Sequence, residues 1–294
     1  MKFSIIKHSK LWLIISSALV VMAIVFLSVW GVTLGIDFTG GSLLEFTAEG
    51  KPTVALIREA VDPILDHDFV VQQSEKSIVI RTQTLSEEKH QEIVTLLKNN
   101  EQIKVKDELR FDSIGPVIGG ELLKKSIWAL VLVFILIVAY MAFAFRKMSD
   151  VISPWRAGLI TIIAGLHDAI IPLGVFSVLG HFFGTEVNAA FIAAILTILG
   201  YSINDTIVVF DRSRENVLKG SVHDFATVVD MSIWQTMARS LNTTTTTLVA
   251  LLAVFFFGGA TVKDFALVLL IGIFCGAYSS IFIASPLLVA WRRK

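Results

Sequence analysis

The stretch GYSINDTIVVFDRSRE, residues 200–215, begins as the end of an apolar run and finishes as a charged loop. Within the apolar part lie Asn204 and Asp205. A charged side chain inside a membrane-spanning helix costs about 2.5–3.5 kcal/mol on insertion scales, so it ordinarily faces a bundle interior and has a partner there. Whether this stretch crosses a membrane therefore decides both the fold and where to look for function.

The composition says that it does. Of 294 residues 54% are hydrophobic, and the mean hydropathy is +0.73, too apolar for an ordinary soluble domain. A spanning helix needs about 20 predominantly apolar residues. Six segments qualify: 11–31, 125–145, 157–180, 188–210, 238–259 and 264–291. The first follows Lys2, Lys7 and Lys10, but its apolar run is too long for a signal-peptide core and no convincing cleavage site follows, so it reads as an uncleaved anchor. The single cysteine, Cys275, excludes an intrachain disulfide and a cysteine-based zinc site, and it reads as a small core residue.

The formal net charge is zero, yet the charges are unevenly placed. Residues 35–120 hold 9 Lys/Arg against 15 Asp/Glu, and the rest of the chain holds 16 against 10. Basic clusters at Lys2/Lys7/Lys10, Arg146/Lys147/Arg156, Arg212/Arg214/Lys219 and Arg292/Arg293/Lys294 all fall on one side of a six-helix arrangement. Lys/Arg bias places that side, with both termini, in the cytoplasm. The chain then divides into a first transmembrane helix (1–34), an extracytoplasmic domain (35–120) and a five-helix transmembrane region (121–294).

Residues 35–120 carry their own pattern. GSLLEFTA reads as a strand, and TVALIREAVDPIL as a helix with Val54, Ile57, Val61 and Leu65 on one face. FVVQQ and SIVIRT read as short strands. SEEKHQEIVTLLKNN reads as a helix capped by Ser86, with Ile93, Leu96 and Leu97 on its apolar face, and IKVKDELRFDSI as a last strand. The order βαββαβ is the ferredoxin-like split arrangement. His67 and His90 read as isolated, solvated residues. The domain shows no catalytic pattern, and a small acidic domain beside a membrane suits docking.

Ionisable groups recur within the spans. His167 and Asp168 lie about ten residues past Ala157, near mid-bilayer. Asp205 lies six residues before Asp211, roughly 9 Å inside the cytoplasmic edge. If the fifth helix starts near Met231, Arg239 falls at the depth of Asp205. Gln235, Arg239, Asn242 or Thr243, and Thr246 then share a face. Arg239 is the natural partner for Asp205. Burial disfavours the carboxylate and a guanidinium favours it, so Asp205 is a carboxyl able to bind and release a proton, whereas Arg239 cannot release its own. The opposing structural reading is an Asp–Arg pair that merely locks two helices. The Thr run 243–247 reads first as packing with hydroxyls bonded to their own helix. His167 and Asp168 read equally as a relay or a helix-pairing hydrogen bond, and Pro172 as a possible kink.

Four motifs, GIDFTGG at 35–41, GLHD at 165–168, GYSINDTIVVFDRSRE at 200–215 and QTMARSLNTTTTT at 235–247, resemble those of the SecD/SecF family of bacterial protein-export membrane subunits. The resemblance runs in order along the whole chain. It implies a SecF-type subunit, related to the resistance-nodulation-division transporters. Such a subunit works with SecD and the SecYEG channel, and YajC is a further candidate partner. It uses the proton-motive force to help draw unfolded polypeptide outward, in the bacterial inner membrane and among its lipids. The family's membrane Asp and Arg match Asp205 and Arg239. Asn204, Asn242, Thr243 and Thr246, with His167 and Asp168, are the secondary candidates for a relay or helix pairing. The expectation is no enzymatic chemistry, no metal, no cofactor and no nucleic acid, with H⁺ as coupling ion and Na⁺ the alternative. Rival readings are a small-molecule exporter, for which the 35–120 domain is small, and a non-conducting scaffold of the export channel. A third, an intramembrane aspartyl protease on Asp168 and Asp205, lacks a GxGD sequence around either residue.

Overall fold

The computed structural model describes residues 4–48, 52–73, 77–100, 102–103, 105–146, 153–220 and 224–292. Lys2, Lys147, Arg293 and Lys294 of the basic clusters lie outside the described residues. The chain forms two compact units. One is Met1–Val32, Trp128–Thr185 and Ala190–Lys294, and the other is Thr33–Ile127 with Glu186–Ala189.

The first unit is built of long helices, of which two have their opening residues counted in the second. They are α1 (Ser9–Trp30), α5 (Pro116–Ala144), α6 (Pro154–Phe183), α7 (Ala189–Leu218), α8 (Phe225–Phe257) and α9 (Ala260–Ser279). A π-helical turn, Ser280–Ala284, continues α9 into the short α10 (Ser285–Ala290). Together these supply six helices long and apolar enough to cross a membrane. Helix ends follow local chemistry. Pro154 opens α6, where its missing N–H costs nothing, and Gly184 ends it in the left-handed region with its N–H bonded back to Gly180 O. Asp224 caps α8, its Oδ2 accepting from Thr227 N and Thr227 Oγ1, so this helix starts at Phe225 rather than near Met231. The helix α6 runs on through Pro172.

Close approach between helices rests on small residues, as expected where lipid tails are as apolar as the side chains. A Cβ on Gly174 of α6 would stand 2.5 Å from Ala23 Cβ of α1, and one on Gly272 of α9 2.1 Å from Ile198 Cδ1 of α7. Ser177 Oγ donates to Phe26 O at 3.0 Å and to Gly31 O at 2.5 Å, fastening α6 to the end of α1. The interior is filled by Met141, Ile160, Ala164, Phe210, Val229 and Ile233, among others.

The second unit is the ferredoxin-like βαββαβ arrangement. Its sheet has four strands, Phe69–Gln73 (β2), Ser77–Thr82 (β3), Gly41–Ala48 (β1) and Val105–Ile114 (β4) in spatial order, every neighbour antiparallel. The helices are α3 (Val54–Leu65) and α4 (Glu87–Asn99), capped by Thr53 Oγ1 and Ser86 Oγ. Leu44 and Phe46 of β1, Ile57 and Val61 of α3, Ile80 of β3 and Ile93 of α4 are wholly buried in its core. Val54 is exposed and Leu96 only half-buried, so the apolar faces are slightly rotated from the sequence reading.

Two features of this unit depart from expectation. His90 is not solvated: it is buried, stacked on Phe111 with ring centroids 3.7 Å apart, and its Nε2 lies 2.6 Å from Glu108 Oε1. A short helix, α2 (Ile36–Thr39), precedes Gly40 and Gly41, both with positive φ. A Cβ on Gly40 would stand 2.6 Å from Pro116 Cα, and one on Gly41 2.6 Å from Thr82 O, so this turn needs both glycines. Residues 186–189 close against the same region. Leu34 and Val187 form a parallel bridge, Arg81 Nε lies 2.8 Å from Glu186 Oε1, and Asp37 Oδ2 accepts from Ala189 N at 2.8 Å. Ala189 is the first residue of α7, so Asp37 caps that helix.

Candidate functional site

The buried face of α7 reads Ala194, Ile195, Ile198, Leu199, Ser202, Asp205, Thr206, Val209 and Phe210, spaced three and four apart. Its upper part is apolar, and its lower part places a carboxylate and two hydroxyls in the bundle. Asp205 is 3% exposed. Its Oδ1 is 3.4 Å from Ser240 Oγ of α8, at the outer limit of a hydrogen bond, and its Oδ2 has no hydrogen-bond partner. A buried ionised carboxylate with so few donors is costly unless a counter-charge arrives.

Arg239, the expected partner, acts on that carboxylate only from a distance in this structure. Among the described residues no ion pair joins it to Asp205, and its side chain lies on the exposed side of α8. Successive helix residues are about 100° apart. Ser240 therefore turns inward to Asp205 while Arg239 turns outward. Asn242, Thr243 and Thr246 are exposed on the same helix, so a polar stripe runs down the outside of a span. Thr243 Oγ1 donates to Arg239 O and Ser240 O, and Thr246 Oγ1 to Asn242 O and Thr243 O. These hydroxyls satisfy their own helix, as the packing reading expects. Asn204 is exposed and apart from its neighbour Asp205. Gln235 belongs to another group, accepting from Arg212 Nε at 2.6 Å and Asn216 Nδ2 at 2.9 Å.

A second buried carboxylate is fully engaged. Asp168 of α6 is 0% exposed; its Oδ2 accepts from Ser202 Oγ of α7 at 2.5 Å and from Ser279 Oγ of α9 at 2.7 Å. Its Oδ1 lies 2.8 Å from His167 Nδ1. One carboxylate thus ties three helices together. Ser280 Oγ donates to Ser202 O at 3.2 Å and lies 3.0 Å from Thr206 Oγ1, which extends the polar line along α7 to the neighbour of Asp205. Sequence reasoning found both carboxylates and missed the serines. Ser202, Ser240, Ser279 and Ser280 are singled out by no motif, and only their spacing on buried faces marks them.

Comparison with known proteins places this geometry. The family described as protein export membrane protein SecD/SecF, C-terminal, matches residues 93–294, and the SecD/SecF GG motif matches residues 25–51. A relative in Thermobaculum terrenum, described as protein translocase subunit SecF, is 38% identical over 99% of this chain and 94% of its own length. One of the same description in Sebaldella termitidis is 39% identical over 100% of this chain and 93% of its own. The crystal structure of SecDF from Thermus thermophilus, described as a translocon-associated membrane protein, superposes with a TM-score of 0.86 at 34% identity, covering 99% of this chain. The match takes up 39% of that SecDF chain. SecDF in a form called super-membrane-facing matches over the same share with a TM-score of 0.69.

Proposed function

The chain belongs to the SecD/SecF family of protein export membrane proteins, and from that premise we propose that it is a SecF-type, non-enzymatic subunit of the Sec export machinery. It pairs with SecD, acts at the SecYEG channel on unfolded exported polypeptide, and takes YajC as an accessory neighbour. It sits in the bacterial inner membrane with both termini cytoplasmic, as the distribution of Lys and Arg favours.

The observation that carries the mechanism is the under-bonded, buried carboxyl of Asp205. The arrangement suits a carboxyl that holds its proton. When the proton leaves, the bare carboxylate needs a counter-charge, and Arg239, one residue from Ser240, is the nearest candidate in sequence to supply it by a rotation of α8. Proton exchange then biases two packings of α7 against α8, which is how a ligand as small as a proton moves helices. Each charge that crosses is worth about 2.3 kcal/mol per 100 mV. Helix α7 begins at Ala189, whose N–H is held by Asp37 of the α+β unit. The polar stripe Arg239, Asn242, Thr243 and Thr246, exposed on a spanning helix, favours a protein partner over lipid at this face, and SecD fills that role.

The test uses vesicles holding SecYEG, SecD and this chain, with H⁺ or Na⁺ gradients imposed separately. A proton gradient should accelerate export by the wild type and leave Asp205→Asn unaffected. Equal acceleration of both proteins would make Asp205 a structural residue and the chain a scaffold, and a response to Na⁺ alone would reassign the coupling ion.

A further inference from the structure

The pair His167–Asp168 is buried, polar and unused by the coupling at Asp205. We propose that His167 Nε2 is a second proton-binding site of the helical unit, with Asp168 as its fixed counter-charge.

The geometry isolates one atom. Asp168 Oδ2 is occupied by the two serine hydroxyls and Oδ1 by His167 Nδ1. One proton must lie between Nδ1 and Oδ1, whichever of the two atoms it is drawn on. His167 is 5% exposed, and its other nitrogen, Nε2, is buried with no hydrogen-bond partner. With Nε2 bare, the pair holds one proton and carries one negative charge. With a proton on Nε2 the pair is neutral overall, either as imidazolium with carboxylate or as imidazole with carboxylic acid. Both descriptions put the added proton on the same atom. Gaining or losing it breaks none of the bonds to Ser202, Ser279 or Nδ1, so the site can change charge without unlocking the helices.

The charged residues of α9, Lys263 and Asp264, belong to its opening turns, and Arg156 and His181 lie at the two ends of α6. On α9, Tyr278 stacks on the imidazole with centroids 6.1 Å apart, its hydroxyl turned to Ser16 and Trp12 O of α1, and Cys275 lies one turn before Tyr278. The π-helical turn and α10 carry no charged residue. On α1 and α5, Lys10, Glu121, Lys124 and Lys125 belong to the opening turns, and Tyr140 of α5 is exposed. On α7, Tyr201 adjoins Ser202 with its hydroxyl 3.4 Å from Thr247 Oγ1 of α8, and Asp205 lies one turn beyond Ser202.

The full chain, labelled with ¹⁵N-histidine and reconstituted in lipid bilayers, tests this by nitrogen chemical shifts between pH 5 and 9. Six histidines report, and the signal lost in His167→Gln identifies the one in question. The expected result is that its Nε2 passes from bare to protonated across the range while Nδ1 keeps its hydrogen-bonded shift. A signal with Nε2 unchanged across the range, in either form, overturns the proposal. Should His167→Gln fail to fold, His167 is assigned in the wild type by its ¹³C–¹⁵N contact to Asp168, with the same two outcomes. The titration is read equally well in Asp205→Asn, so failure of this second site and failure of the coupling role of Asp205 are told apart.

Discussion

Asp168 and Asp205 are the same residue type, buried to nearly the same degree in adjacent helices, yet their surroundings differ. Asp168 accepts hydrogen bonds from two serines on two other helices and is bound to a histidine, while Asp205 has one long contact and an orphan oxygen. A buried carboxylate with both oxygens engaged holds a structure in one state. One left short of donors has a second state available as soon as a proton or a cation arrives. The same chemistry thus serves as a clamp in one place and a switch in the other, and the hydrogen-bond inventory distinguishes them where burial does not.

Stability measurements can break that comparison. Asp168→Ala strands the Ser202 hydroxyl and a histidine and leaves Ser279 only Gly276 O of its own helix, and removing one partner of a buried charged group costs about 3–5 kcal/mol. Unfolding in mixed micelles should show that loss, and a change below about 1 kcal/mol would mean the clamp is not one. Ser279→Ala removes a single link to the clamp. Hydrogen bonds between membrane helices average about 0.6 kcal/mol and reach about 1.7, and a bond to a carboxylate belongs at the upper end. Asp205→Asn should leave stability within about 1 kcal/mol of wild type, since it forfeits one long contact, while abolishing the response of export to the proton gradient. A large destabilisation by Asp205→Asn would erase the distinction.

How far the sequence carries the structure follows the same division. The α+β unit is legible element by element, because alternation marks its strands and Thr53 and Ser86 mark its helix starts. His90 is misread although its position, with Ile93, Val94 and Leu97 at three, four and seven residues on, is a buried-face position. Its polar type outweighs a spacing that is correct. The four-residue α2 is too short for any periodicity to register. In the helical unit depth is legible, because a rise of about 1.5 Å per residue puts Asp205 and residues 239–240 at one level. Azimuth is not. Which of Arg239 and Ser240 meets Asp205 depends on the rotation of α8 against α7, set by packing along both helices. The serines around Asp168 are invisible for a related reason: each is ordinary in its own helix and acquires meaning only where three helices converge.

Ser240→Ala is the smallest and most discriminating change. The contact it deletes is 3.4 Å long, so the cost in stability should be no more than about 0.5 kcal/mol. Its effect on coupling should be larger than its effect on stability. Ser240 is the only hydrogen-bonding contact recorded for the Asp205 carboxyl among the described residues, and it sits beside Arg239 on the helix that would have to turn. Without that hydroxyl the proton-holding arrangement loses its one anchor, and the balance between the two packings shifts toward the state with Arg239 inward. The gradient-driven part of export should then change its dependence on pH while export without a gradient stays at the wild-type rate. An unchanged pH dependence, with stability also unchanged, would mean that Ser240 only borders the site and that the switch is set by Asp205 and Arg239 alone.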